Sequence, residues 1–301
     1  MGAADGLGLK VGALVIGLCL GAGGVAATRD EPSFDPSPPP AGASAEAPTT
    51  TAPFTSEDVH HAVEIEAGLT AGNVFACDVP DGGELGFYPT VENCPPDRLS
   101  PIGDTVSYGV VLENTSDHML VMVPVTLTFY DDAGAVVDEP AISDSDLQNM
   151  EVTVDVIRPG QRVGFGGMSY LDRPGATRVE VAVGEPGQVL PQVEAEVLLG
   201  AAAQPLPLTS EVQSVSSGDS GEPVVHFTIT STGDELITTS TAYAILRDEG
   251  GHIIGGIDDR FFRVAVPPGG TNEGELVLDD PMTVPGIDPA QVEVYVGPVV
   301  I

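Results

Sequence analysis

Five histidines, three cysteines and 45 acidic residues are the side chains of this chain best suited to chemistry. Their spacing builds no recognisable centre. His60 and His61 are adjacent, and neighbours on a strand point to opposite faces, so the pair suits a surface or an edge better than one metal ion. His118, His226 and His252 are dispersed, each in or beside a turn or strand. Ser169, in "GGMSYL", lacks the glycine two places on that a nucleophile elbow carries. No H-E-x-x-H, P-loop or EF-hand loop is present. Asp131-Asp132, Asp144 with Asp146, and Asp258-Asp259 are acid clusters expected in loops, where calcium finds oxygen ligands, yet none has a ligand spacing. With 45 acids, carboxylate pairs arise by chance and nominate no glycosidase pair. The expectation is a protein that is not an enzyme and holds no cofactor.

Charge narrows the partners. Ten basic residues face those 45 acids, for a formal net charge of −35, and Lys10 is the only lysine. Polyanions repel such a surface, which excludes nucleic acid and anionic lipid as partners. Mutual repulsion also favours a soluble, monomeric chain. A surface adapted to salt has the same composition.

The elements that would position these residues begin with a targeting segment. "KVGALVIGLCLGAGGVAATRDEP" has a lone lysine, a short apolar centre over Val11–Leu20, and small residues at Val25-Ala26-Ala27. This is the pattern of a secretory signal over residues 1–27, cut after Ala27. An uncleaved anchor is the rival, since the uncharged run Val11–Thr28 reaches the lower length limit for a membrane span. Both place the remainder outside the cytoplasm, secreted or tethered at the cell surface, touching the membrane only through this segment. Residues 28–57 are rich in Pro, Ala and Thr and read as a disordered, semi-extended linker. Cleavage removes Cys19 and leaves Cys77 and Cys94, an even number in an oxidising compartment, so a Cys77–Cys94 disulfide is expected. The loop it closes would gain roughly 3 kcal/mol on the chain-entropy estimate.

Beyond the linker the chain is written twice. Thr115–Val137 lies over Thr232–Ile254 at a constant offset of 117, with "TSDHML" on "TGDELI" and "FYDDAGAVV" on "LRDEGGHII". "IRPG" at Ile157 matches "VPPG" at Val266, and "VEVAVG" at Val179 matches "VEVYVG" at Val292. Order and spacing agree each time, which is the mark of an internal duplication. Alternation marks strands: Val106, Tyr108, Val110 and Leu112; Val121, Val123, Val125, Leu127 and Phe129; Val225, Phe227 and Ile229. One further strand has apolar residues on both faces, Ala242, Ala244 and Leu246 against Tyr243 and Ile245. Asn114–Asp117 and Thr232–Asp234 read as turns, Gly134 and Gly251 as turn glycines with positive φ, and Pro159-Gly160 and Pro268-Gly269 as Pro-Gly turns. "VEIEAG" at Val63–Gly68 resembles "EAEVLLG" at Glu194–Gly200, offset 132, and both are expected as first strands. That pairing gives the first copy about 15 extra residues, in the segment holding both cysteines. A pinned loop of this kind is a place where binding is built on a rigid scaffold, or simply a tether.

Leu127-Thr128-Phe129-Tyr130-Asp131, with Asn114-Thr115-Ser116 upstream and Gly134 after it, resembles the signature of the FxLYD domains, small extracellular immunoglobulin-like modules of bacteria and archaea. The signature's leading phenylalanine is Leu127 here and its leucine is Phe129; the second copy, with Leu246, Asp248 and Gly251, departs further. The resemblance implies a sandwich at the cell surface and carries over no catalytic or ligand residue. The expected fold is all-β: two tandem antiparallel immunoglobulin-like β-sandwich domains, residues 58–190 with the disulfide-closed loop and residues 191–301. The expected role is binding or adhesion to an extracellular protein or cell-wall component, with a purely structural spacer as the rival.

Overall fold

A computed structural model describes residues 62–77, 99–137, 150–171, 173–239, 241–259, 262–278 and 282–297. The signal and linker segments, His60, His61, Cys94, Asp144 and Asp146 lie outside the described residues. The described residues all fall within one compact unit. The fold is all-β, with antiparallel sheets and one short α-helix among the described residues.

In the first half, β1 (Val63–Cys77), β2 (Leu99–Asn114) and β5 (Arg162–Leu171) form one sheet, with β2 central. β4 (Met150–Ile157), β3 (His118–Asp131) and β6 (Ala176–Val183) form another, and β7 (Gln188–Pro191) also pairs β3. The rows read from alternation meet between these sheets: Val106, Tyr108, Val110 and Leu112 from β2, and Val123, Val125, Leu127 and Phe129 from β3. Tyr108 and Phe129 pack edge to face, with centroids 6.0 Å apart, a favourable aromatic geometry.

The second half repeats this pairing. β8 (Leu208–Ser217), β9 (Pro223–Ser231) and β14 (Thr271–Val277) correspond to β1, β2 and β5. β12 (Ile253–Asp259), β11 (Thr241–Arg247) and β15 (Glu293–Gly297) correspond to β4, β3 and β6. A two-stranded pair, β10 (Ile237–Thr238) and β13 (Ala265–Val266), completes it. The correspondence extends to register. Val125, Leu127 and Thr128 face Val183, Val181 and Glu180; Ala242, Ala244 and Ile245 face Val296, Val294 and Glu293. Those are the partners that the two sequence matches put in equivalent places.

Two expectations need correction. Glu194–Gly200 does not begin a strand: Gln192–Leu199 is an α-helix, α1, entered at Pro191 and left at Gly200 with φ 55°. Good helix formers (Glu, Ala, Leu) lie between a proline and a glycine there, and local propensity wins. The second half's first strand is β8. Thr115 N–H donates to the Ala62 carbonyl at 2.7 Å and Thr232 N–H to the Pro207 carbonyl at 2.8 Å, so Ala62 is matched by Pro207. That offset is 145 (207 less 62), and against the shared 117 the first half carries 28 extra residues rather than about 15.

The second correction concerns Val121. It packs with Met119 in a small satellite cluster under α1, while Leu120 joins the main core with Val123. The row shifts because Met122 has φ 53°, which breaks the alternation of β3. Strand β4 shifts with it, so that Ile157 opposite Leu120 and Val154 opposite Val123 are both core residues.

Candidate functional site

The residues that carry the resemblance build turns and core. Leu127 is fully buried and Phe129 nearly so. Tyr130 lies on the other face of β3, half-buried, with the Arg178 guanidinium 4.4 Å from its ring centroid. Asp131 closes the turn after the strand: its Oδ1 accepts the Ala135 N–H at 2.8 Å, and the Gly134 N–H donates to the Asp131 carbonyl at 3.0 Å. Gly134, with φ 80°, occupies a conformation that side chains resist. The second copy repeats it: Asp248 Oδ1 accepts the His252 N–H at 2.9 Å, Gly251 N–H donates to the Asp248 carbonyl at 2.9 Å, and Gly251 has φ 79°. The His252 backbone N–H is the main cause holding the Asp248 carboxyl below its usual range. Leu246 is buried in the second core.

Asn114 is also spent on structure. Its buried amide donates to the carbonyls of His118 (2.8 Å) and Ile157 (2.9 Å), and its Oδ1 accepts from the Ser116 N–H (3.0 Å) and hydroxyl (2.7 Å). Both side-chain polar atoms of Asn114, the acceptor residue of this formal glycosylation sequon, are therefore engaged in hydrogen bonds. Cys77 ends β1 opposite Leu99, and Cys94 lies outside the described residues. The three described histidines stand apart, each beside an acid: His118 with Asp117, His226 with Glu275, His252 with Asp248. Among the described residues, no three His, Cys, Asp or Glu side chains are grouped to hold a metal ion.

A second polar cluster among the described residues draws on β1, β2, β5, β11 and β15. Arg247 of β11, its side chain only 7% exposed, donates from Nε to Glu293 at 2.8 Å and from Nη1 to Glu66 at 2.7 Å and the Gly251 carbonyl at 2.7 Å. Its Nη2 is buried with no partner among the described residues. Arg162 of β5 lies 3.5 Å from both Glu66 and Glu293 and 3.7 Å from Glu113. Burial lowers the Arg162 pKa, but Tyr295 and the charges of Glu293 and Glu66 outweigh it and hold the group above its ordinary value. The Tyr295 hydroxyl donates to Glu293, and burial first, then that carboxylate, raises its pKa well above 10.0. Beside this cluster a shallow depression of about 260 Å³ is lined by Glu64, Ile65, Glu66, Val111 and Glu113. Chemically, the arrangement pairs two arginines with carboxylates from both halves of the chain.

No protein-family model matches the chain, and no curated protein matches it.

Proposed function

We propose that this is a non-enzymatic protein, exported and then secreted or tethered at the cell surface, whose two immunoglobulin-like domains (residues 58–190 and 191–301) bind or adhere to an extracellular protein or wall component. The observation that carries this reading is the duplicated Asp–Gly turn. The signature acids Asp131 and Asp248 are both committed to backbone N–H groups rather than aimed at a reactant. The signal-like segment and proline-rich linker support location outside the cytoplasm. The segment between Cys77 and Cys94, present in the first half alone, is where ligand contacts would be built.

The reading is tested by mass spectrometry of the protein from its native host and by capture from an envelope extract. Thr28 as the mature N-terminus supports a cleaved signal; an intact chain in the membrane fraction supports the anchor; an intact chain in the cytosol overturns export. Capture lost on deleting residues 78–93 supports the loop as ligand site. Equal capture after that deletion moves the site elsewhere, and no capture by either form favours a structural spacer.

A further inference from the structure

We infer that the two halves are one cooperative unit with no working hinge between them: the β12–β11–β15 sheet becomes a stable layer only when covered by the β1–β2–β5 sheet of the first half. The comparison at equivalent positions points there. On the face of β3 turned away from its own core, Thr126, Thr128 and Tyr130 are half-exposed. Their counterparts at offset 117 on β11 are Tyr243, Ile245 and Arg247, which are 7%, 0% and 5% exposed. Tyr243 joins the core of the first half, and Ile245 packs with Ile253 of its own half and Val111 of β2. A self-standing antiparallel sandwich commonly keeps the outer face of its sheets polar and wet; here Tyr243 and Ile245 are covered by the first half and Arg247 is buried against its Glu66.

The covering is close enough to require glycine. A Cβ on Gly109 of β2 would meet the Gly255 carbonyl oxygen, and one on Gly68 of β1 the Ile253 carbonyl oxygen. A Cβ on Gly255 would stand 2.6 Å from Ser107 Oγ, and one on Gly164 would run into the Tyr295 ring. Glycine inside a strand weakens it unless something approaches closely, and here backbone approaches backbone. Specific bonds fix the alignment. Ser107 Oγ donates to the Gly256 carbonyl at 2.8 Å and accepts the Gly256 N–H at 2.9 Å, and Thr70 Oγ1 donates to the Ile254 carbonyl at 2.6 Å. Arg247 closes one end with a carboxylate from each half, Glu66 and Glu293. Sliding or opening the halves would strand these groups together.

This inference is independent of what the protein binds. The test is residue-resolved hydrogen exchange on the full chain in rising urea, following amides of β2 for the first core and β9 for the second. In the wild type both sets lose protection at one midpoint. Gly255→Val touches the contact between the halves and neither core, and both midpoints should fall together, with the opening constants of β2 and β9 rising by the same factor of ten or more. A shift confined to β9, or in neither set, or two midpoints in the wild type, overturns the inference. If Gly255→Val does not fold, Ile245→Thr is read by the same criterion.

Discussion

The two halves use one strand plan and treat its outer face in opposite ways. In the first, β3 buries one row and leaves Thr126, Thr128 and Tyr130 partly in water. In the second, every residue of β11 is buried, with Ala242, Ala244 and Leu246 toward its own core and Tyr243, Ile245 and Arg247 toward the first half. A duplicated framework therefore tolerates a change of role. The register and the Asp–Gly turn are kept, and the side chains of one row decide whether a sheet faces solvent or a neighbour.

The sharpest way to break that comparison is to thicken the contact. Gly109→Val places branched carbon against the Gly255 backbone, where no flexible side chain can yield. We expect a loss of more than about 3 kcal/mol in chemical unfolding, at the upper end of overpacking costs. The equivalent positions come next. Ile245→Ala should cost about 2–5 kcal/mol, as a buried aliphatic truncation does, whereas Thr128→Ala, its counterpart, should stay within about 1 kcal/mol. Similar costs for both would mean that the two outer faces do not differ. Arg247→Met should cost about 1.5–3 kcal/mol through its lost charged hydrogen bonds, read in the same unfolding assay.

Where the halves agree, mutations should agree. Gly134→Ala and Gly251→Ala each force a side chain into the left-handed region with nothing within 4 Å to clash. Each should lower stability by about 1–2 kcal/mol, with the two values close together. The smallest effect is at alkaline pH. Tyr295 keeps its proton in the folded state above its ordinary value of 10.0, while the unfolded chain loses it there. The folded state then binds more protons, so stability falls as pH rises past 10. Tyr295→Phe should flatten that fall, checked by melting temperature against pH.

Much of this was legible in the sequence. Alternation located β2, β3 and β9, and the offset of 117 put Asp131 and Asp248, and Gly134 and Gly251, in equivalent turns. Three features escaped for physical reasons. Helix α1 was hidden by its likeness to "VEIEAG", although Pro191 and Gly200 bracket it. The parity shift in β3 depends on a positive φ at a methionine, which no residue preference announces. The Arg247 cluster joins residues 66, 113, 162, 247, 293 and 295, and only the folded sheets bring them together. A signal for the contact between halves was present all the same. Gly109, Gly164, Gly166, Gly255 and Gly256 interrupt apolar strands, and such glycines mark close approach.

The central claim is that one strand register was used twice. Cross-strand NOEs in the labelled protein test it most directly. The account predicts contacts between Leu127 and Val181 and, in the other half, between Ala244 and Val294. A one-residue slip would turn Leu127 out of the first core or Ala244 out of the second, and either slip, or an absent second ladder, would contradict it.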